Sequence, residues 1–432
     1  MKKLFFILVI VMCFLANLFS QEEYVPNDDD LIRNYDHVYI DGIKTVQFRL
    51  YGSLTSYPIL NLDGSAILEL TFDDLSEEVY DYTYEVVHCN SDWTKSELNE
   101  MDYLKGFNNE VIRDYEFSIN TLTKFINYSL TIPNQNIKIT KSGNYLLHIY
   151  EDGDKELPVL TRRFMVVEPL MQVVPELTRT GMVSQARSHQ EIDFAVLHKD
   201  ITINNPHAEV NVAVLQNGRW DNAITGVKPL FVKPEQLVYD YQGKIAFPGG
   251  KEYRNFSTQS LKYRTEQVAR IVEDKIDKYH VQLFSDIDRS FKPYIFMNDL
   301  NGGFMIDNDD RVVNPRLGAD YAWVHFSLLA DQEYEKGSVY LFGALTDWQL
   351  QDKYKMTYNE TEKIYATKAF LKQGYYDYEY AFVTGAGAKP DFSELEGNSY
   401  ETENKYQVLV YYRPMGTRFD RLVAVSEVNS NN

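Results

Sequence analysis

The sequence alternates between apolar and polar residues, with a period of two, over most of its length. Successive side chains of a β-strand point to opposite faces, so this period indicates strands with one face in a core. Gly, Asn, Asp and Pro separate the strands of the first series. That series has strand candidates at 66–72, 82–87, 115–119, 128–132, 145–149 and 160–167. The spacing predicts a β-sandwich of about 130 residues.

Two further series predict more β-domains. Strand candidates of the second series lie at 192–196, 210–214, 236–247 and 279–284, and those of the third at 323–328, 339–343, 376–382 and 407–412. Residues 261–276 fit either one amphipathic helix or two strands bent near 264–266, because charged residues occupy both candidate faces. We predict a mainly β fold with three tandem β-sandwich domains at residues 21–168, 169–314 and 315–432.

The first twenty residues, 1–20, have the composition of a secretory signal peptide. Lys2 and Lys3 give a positive start, residues 4–15 are almost wholly apolar, and cleavage is expected after Ser20. A retained anchor helix is the alternative, although the apolar run is shorter than the roughly 20 residues that span a bilayer. Cleavage would leave Cys89 as the sole cysteine, so the exported chain could form no internal disulfide.

Acidic residues dominate the charge of the chain. It has 63 Asp and Glu against 43 Lys and Arg, a formal net charge of −20 that becomes −22 without Lys2 and Lys3. This balance argues against a nucleic-acid binder, which needs a cationic surface. Two interpretations stay open: salt-dependent attraction to a basic partner, or only the solubility of an exported protein.

Motifs for catalysis or cofactor binding do not occur. The sequence has no nucleophile elbow, phosphate loop, dinucleotide fingerprint, HExxH or CxxC. His88 and Cys89 are neighbours on a predicted strand and point to opposite faces, so we expect Cys89 to be a small buried residue. We predict no catalytic, cofactor-binding or metal-binding residue and no cofactor. A hydrolase with paired carboxylates on separate strands is an alternative that one sequence cannot show.

Several acidic clusters could supply oxygen ligands for calcium. None has the spacing of a twelve-residue EF-hand loop, and solvated turns are the preferred interpretation. The clusters lie at residues 28–30, 73–74, 152–154, 299–301 and 307–310.

Residues 339–348, with the sequence VYLFGALTDW, resemble the early-set, immunoglobulin-like modules related to glycogen-binding domains. In those modules, exposed tryptophans can stack on sugars. Trp348 is the only tryptophan of this motif, and a sugar platform usually needs two aromatic rings, so a structural role at a strand end is the preferred interpretation. An array of carbohydrate-binding modules is the alternative function.

A second set of motifs is spread over most of the chain. Its members are SYPIL at 56–60, LTFDDL at 70–75, VHCNSDW at 87–93, YLKGF at 103–107, DYEFS at 114–118, GNYLL at 143–147, TRRFMVVE at 161–168, FPGGKEYR at 247–254 and DLNG at 299–302. In this order, over about residues 36–413, they resemble the plug protein family of the type IX secretion system.

The resemblance implies a soluble periplasmic protein of a Gram-negative bacterium. Its partner would be the giant outer-membrane β-barrel translocon of the type IX secretion system, whose periplasmic end it would seal reversibly without being an enzyme. The resemblance also favours strands at 261–276. Exposed tyrosines would suit such a wet interface. The link at 169–175, which has a proline at each end, could be a hinge or a tightly packed connection. The interface residues stay unknown at this stage.

Overall fold

Strands carry nearly all the regular structure of the chain, and the predicted mainly β fold is confirmed. The computed structural model describes residues 32–274, 278–310, 314–385 and 387–431. The predicted signal peptide at 1–20 and the acidic run at 28–30 lie outside the described residues. The chain divides into Met1–Arg33 and Asn34–Asn432, and every described strand belongs to the second unit.

The first core lies between two sheets built mainly from the first alternating series, and both are antiparallel except that β3 pairs parallel with β12. One sheet has the order β1-β12-β11-β5-β7, with β3 beside β12, and the other has the order β2-β4-β9-β8. The elements are β1 (His37–Val38), β2 (Ile43–Leu50), β3 (Ile59–Asn61), β4 (Leu68–Asp74), β5 (Tyr82–Cys89), α1 (Glu100–Tyr103), β6 (Leu104–Gly106), β7 (Glu110–Val111), β8 (Asp114–Phe117), β9 (Ile126–Ile132), β10 (Ile137–Ile139), β11 (Gly143–Glu151) and β12 (Pro158–Val167).

The second core begins directly after β12. Its first sheet has the order β13-β14-β18-β17, with β19 beside β14. The elements are β13 (Gln172–Thr178), β14 (His189–Leu197), α2 (Pro206–Glu209), β15 (Val210–Gln216), β16 (Ile224–Thr225), β17 (Phe231–Lys233), β18 (Gln236–Tyr239) and β19 (Ala246–Pro248). β15 and β16 belong to an opposite sheet, which the chain completes only near its end.

The third core follows and is also enclosed by two sheets. Five strands form the sheet β21-β22-β24-β27-β26, and β28 pairs with β20, β23 and β25 in the facing sheet. The elements are β20 (Arg254–Ser257), β21 (Val268–Asp274), β22 (Lys278–Leu283), β23 (Phe304–Ile306), α3 (Pro315–Gly318), β24 (Tyr321–Leu329), β25 (Ser338–Phe342), β26 (Thr357–Asn359), β27 (Ile364–Lys372) and β28 (Gly374–Val383), with 3-10 turns at Ala344–Thr346 and Asp352–Tyr354.

The last two strands return to the second core. β29 (Lys405–Tyr412) pairs along its length with β15, and β30 (Arg421–Asn429) pairs with β29. Tyr406, Val408 and Val410 therefore pack against the apolar side chains of β13 to β15. This arrangement differs from the predicted consecutive segments 169–314 and 315–432, because the third core is nested inside the second. Local alternation identifies strands but not their partners.

The uncertain segments of the sequence resolve as strands and turns. Within residues 261–276, strand β21 begins at Val268, so the helix alternative is wrong over the described part. Residues 261–267 form bends and turns, so only the second of the two expected strands is present among the described residues. The candidate at 236–247 is two strands, β18 and β19. The described helices have four residues each, far too few to cross a bilayer.

The link at residues 169–175 is hydrogen-bonded to the returning chain. The backbone N–H of Glu168 donates to the carbonyl of Leu422 (2.9 Å), and those of Leu170 and Met171 donate to the carbonyl of Val423 (3.0 and 3.1 Å). Of the two interpretations of this link, these bonds favour a packed connection over a hinge.

Candidate interface at the junction of the three cores

A cleft of about 520 Å³ opens where the three cores meet. Its size lies within the usual range of ligand sites. Its walls include Phe48, Arg162 and Arg163 from the first core, Trp220 and Asp221 from the second, and Phe304, Asp347 and Trp348 from the third. No single alternating series in the sequence could have indicated this cleft, because each core supplies only part of the wall.

Arg163 joins the first core to the second through two indole rings. It lies on β12, and its guanidinium carbon is 4.3 Å from the ring centroid of Trp93 and 5.6 Å from that of Trp220. The two indoles meet edge to face, with centroids 5.0 Å apart. Burial lowers the pKa of Arg163 to about 10. Contact with the two π-faces partly replaces the water that this cation loses.

Arg219 joins the second core to the third and accounts for the position of Trp348. The guanidinium carbon lies 4.6 Å from the ring centroid of Trp348. Its nitrogens contact carboxylate oxygens of Asp221 at 2.7 Å and of Glu379 at 3.0 Å. Trp348 also meets the rings of Tyr253 and Phe342 edge to face. These contacts support the structural interpretation of Trp348, because Arg219 covers one face that a sugar would need.

A buried ion pair joins the first core to the third. The Lys372 ammonium lies 2.6 Å from Asp73 Oδ2, and the two side chains are 1% and 0% exposed. Asp73 also accepts hydrogen bonds from the hydroxyl of Tyr321 and the amide of Asn127, both at 2.6 Å. Burial lowers the pKa of Lys372, and the charge of Asp73 opposes this fall. Such a pair needs these extra donors, because desolvation of both ions is unfavourable.

Two buried carboxyl groups, Asp377 and Glu379, and the half-buried Asp299 lie beneath the third-core wall of the cleft. Burial raises the pKa of Asp377 to about 8, and nearby Asp299 adds to the rise. Burial likewise raises the pKa of Asp299 to about 6 and that of Glu379 to about 7. Asp377 Oδ2 accepts hydrogen bonds from the backbone N–H groups of Leu300 (2.5 Å) and Gly302 (3.0 Å). This carboxyl group therefore holds the loop that forms part of the cleft wall.

The first core is also the part of the chain that a known family describes. The family model for the first domain of the type 9 secretion system plug protein matches residues 43–168. This chain belongs to the type 9 secretion system plug family. The resemblance drawn from the sequence motifs is thereby confirmed.

A solved structure extends the likeness of this plug-family chain to all three cores. It is the crystal structure of a hypothetical protein from Parabacteroides merdae, which shares 37% sequence identity with this chain. The match covers 92% of this chain and 100% of that chain, with a TM-score of 0.88. No curated protein matches the chain.

The acidic clusters of this plug-family chain have structural partners. Asp73 and Asp74 are buried, and Asp74 accepts hydrogen bonds from the Tyr82 hydroxyl (2.8 Å) and a backbone N–H. Asp307 accepts from the Gln259 amide (2.7 Å), and the cluster at 152–154 forms a turn after β11. Among the described residues, no three His, Cys, Asp or Glu side chains are grouped so that they could hold a metal ion.

His88 and Cys89 lie at the end of β5 and do not form a reactive pair. Cys89 is buried, and burial raises the pKa of its thiol to about 12, so it is a small apolar residue as expected. Burial lowers the pKa of His88 to about 4, and its ring nitrogens contact the hydroxyl of Ser96 (2.9 Å) and the carbonyl of Ser142 (3.2 Å).

Exposed apolar side chains lie on two edge strands of the plug-family fold. β8 ends one sheet of the first core, and it exposes Tyr115 and Phe117. β17 ends the first sheet of the second core, and it exposes Phe231 and Val232. Edge strands offer unpaired backbone groups to a partner chain. Alternation at 115–119 predicted a strand with one face in a core, but every residue of β8 is exposed, as is every residue of β17, so alternation did not reveal this exposure.

Proposed function

We propose that this chain is a non-enzymatic periplasmic plug. It seals, reversibly, the periplasmic end of the giant outer-membrane β-barrel translocon of the type IX secretion system. The observation that carries the proposal is the match of residues 43–168 to the first domain of the type 9 secretion system plug protein. The expected signal peptide at 1–20 is part of the same proposal, because export is needed to reach the periplasm.

The contacts between the cores support a plug that works as a stiff body. Arg219 and the pair Asp73–Lys372 each join two cores through buried charge, and the half-buried Arg163 joins two cores through indole rings. Changing the angle between cores would separate these charges from their partners, which is costly in a buried environment. A body that closes a wide channel must resist such deformation when the channel is idle.

The buried carboxyl groups support the non-enzymatic part of the proposal. Asp377 is 0% exposed and bonds backbone N–H groups, while Glu379 contacts Arg219. General acid–base catalysis requires a carboxyl group within reach of a substrate proton. Asp377 and Glu379 instead bind the backbone and Arg219 inside the fold.

Affinity purification tests the proposal directly. A tagged chain, isolated from its native bacterium in mild detergent, is expected to bring down one very large outer-membrane barrel protein. Cells that lack the chain are expected to admit a large antibiotic that an intact outer membrane excludes. Purification without any such barrel, together with unchanged antibiotic resistance in the deletion strain, would rule out the proposed seal.

A further inference from the structure

The connection between β22 and β23 exposes a cluster of apolar side chains. Residues 286–298, named here the Phe291 loop, form neither a helix nor a continuous strand. Phe291 is 100% exposed and Ile295 is 72% exposed, and Ile287, Phe296 and Met297 are exposed as well. Single exposed apolar residues are normal, whereas five of them within one connection indicate a site of interaction.

The base of the Phe291 loop is fixed by buried charges. Arg254 contacts Asp286 Oδ1 at 2.9 Å and Glu396 Oε1 at 3.0 Å. The second oxygen of Asp286 accepts hydrogen bonds from the hydroxyls of Tyr378 and Tyr380, each at 2.8 Å. Burial alone would raise the pKa of Glu396, but Arg254 and a second arginine outweigh it and lower the pKa to about 2. The base is therefore held by ionised groups.

The tip of the loop is fixed as well. The Lys251 ammonium donates to three backbone carbonyls that surround Phe291, those of Arg289, Ser290 (3.5 Å) and Lys292 (2.7 Å). Gly397 packs directly against the same turn, where an added Cβ would lie 2.5 Å from the Ser290 carbonyl oxygen. The Phe291 side chain is thus exposed on a backbone whose conformation is already set.

We propose that the Phe291 loop is a preformed docking element, which inserts Phe291 into an apolar pocket of a folded partner protein. The inference rests on the proposed function, which makes the translocon that partner. Aromatic anchors that enter a pocket dominate the binding energy of protein interfaces. A loop that is ordered before binding loses little conformational entropy when it binds.

Charge and rigidity define the partner's chemistry. The chain has a formal charge of −20, so approach to a pocket with cationic groups at its rim is favoured. Approach to an anionic bilayer is disfavoured by the same charge. A fluid bilayer also has no fixed shape, so it would gain nothing from the bonds that Lys251 makes to the loop. A pocket of fixed shape on a protein, with cationic groups at its rim, would bind more tightly because of both the negative charge of this chain and the fixed conformation of the loop.

The test compares two exposed phenylalanines in the full chain. Phe291→Ala is expected to weaken binding to the detergent-solubilised barrel at least tenfold. Phe107→Ala, at a residue that is 75% exposed in the first core, is the matched control and is expected to change binding less than twofold. Both variants are expected to keep the melting temperature of the parent chain, because neither side chain is buried. Equal binding by both variants would overturn the docking role and leave the proposed seal intact.

A photo-crosslinking residue at position 291 in living cells separates the remaining outcomes. A cross-link to the barrel supports the inference. A cross-link only to another protein, or the absence of any cross-link, overturns it. Phe291-dependent flotation with phosphatidylglycerol vesicles, or a Phe291-dependent dimer in sedimentation, would assign the loop to a lipid surface or to a second copy and overturn the protein pocket.

Lys251→Met tests the role of rigidity. It removes the three bonds to the tip and leaves Phe291 in place. We expect faster amide hydrogen exchange at residues 289–292 and a threefold to tenfold weaker affinity for the barrel. Faster exchange with unchanged affinity would show that the preformed conformation does not contribute to binding.

Discussion

At the scale of single residues, most of the largest buried side chains are tyrosines. Within the described part of the chain, ten of the twelve largest fully buried side chains are tyrosines. Nine of these ten have a hydrogen-bond partner for the hydroxyl, as in the bonds from Tyr376 to the Lys372 carbonyl (2.7 Å) and from Tyr411 to Asn144 (2.8 Å). The tyrosine-rich composition indicated strands correctly. The expectation that tyrosines suit a wet exterior does not describe these ten, because composition does not reveal burial.

Tyr239 is the exception and gives a matched pair of substitutions. Its hydroxyl is buried and has no partner among the described residues, although its ring stacks on Phe194. Tyr239→Phe is expected to leave the free energy of unfolding unchanged or to raise it by about 1 kcal/mol, since an unpaired buried hydroxyl is lost. Tyr411→Phe is expected to lower it by about 1 kcal/mol, because Asn144 loses its donor. Urea denaturation of both variants measures the difference.

The raised pKa of Asp377 predicts that the stability of the folded chain depends on pH. Its pKa is raised to about 8, so between about pH 4 and 8 the folded chain keeps a proton that the unfolded chain releases. Stability therefore falls as the pH rises through this interval, by about 1 kcal/mol per pH unit. Asp377→Asn is expected to reduce the fall between pH 7 and 8, where the lower pKa values of Asp299 and Glu379 contribute less.

Melting curves of the parent chain and Asp377→Asn at pH 7 and pH 8 check this expectation. Glu362→Gln, at an exposed position, is the control and should follow the parent. An identical fall in all three proteins would mean that Asp377 is already ionised at pH 7.

At the scale of elements, the sequence predicted the positions of many strands but not which strands pair with each other. β4, β5, β9 and β11 lie where alternation placed them. β30 was missed, because its consecutive residues Leu422, Val423 and Ala424 are all buried and so do not alternate. The buried start of this strand lies against β13 of the second core and β12 of the first. Pairing and the cleft depend on such contacts between distant segments, which a local pattern does not contain.

Gly302 lies in the loop of the cleft wall, at a position where a side chain would not fit. Its φ of +81° is a conformation that favours glycine, and an added Cβ would lie 2.2 Å from the Trp348 ring. Gly226 has a φ of +70° with nothing within 4 Å, so it isolates the backbone effect. Gly226→Ala is expected to lower the free energy of unfolding by about 1 kcal/mol. Gly302→Ala should lower it by about 2 kcal/mol more, because the indole of Trp348 and the ring of Tyr253 must also move.

Denaturation curves of the two alanine variants give this difference, and Trp fluorescence reports movement of the indole. Equal losses in the two variants would show that Trp348 is not wedged against this turn. The position of Trp348 would then again be compatible with a sugar platform, which a glycan array with Trp348→Ala can test.

At the scale of the whole molecule, buried charge couples cores that lie far apart in the sequence. Asp73 and Lys372 are the sharpest case, since neither is exposed and each belongs to a different core. A double-mutant cycle with Asp73→Asn and Lys372→Met is expected to show a coupling energy of about 2–3 kcal/mol. Each single variant leaves one buried polar group without its partner and is expected to lose about 3–5 kcal/mol.

The same cycle reports on cooperativity when two probes follow unfolding. Fluorescence from the tryptophans and far-ultraviolet circular dichroism should give one coincident transition in the parent chain. The single variants should separate the two transitions. Additive losses with coincident transitions would show that this ion pair does not couple the cores.

Because β29 and β30 return to the second core, the second sandwich cannot fold completely until the end of the chain has been synthesised. The two crossings between the second and third cores lie side by side, since Gly250 accepts a hydrogen bond from the backbone of Ser399 at 2.8 Å. The third sandwich can therefore close upon itself while β15 still lacks its neighbour β29. The second sandwich completes last, and a chain that ends anywhere between these crossings lacks β29 and β30 and leaves the second core incomplete. Proteolytic damage to the third core would thus disable more of the molecule than the damaged part.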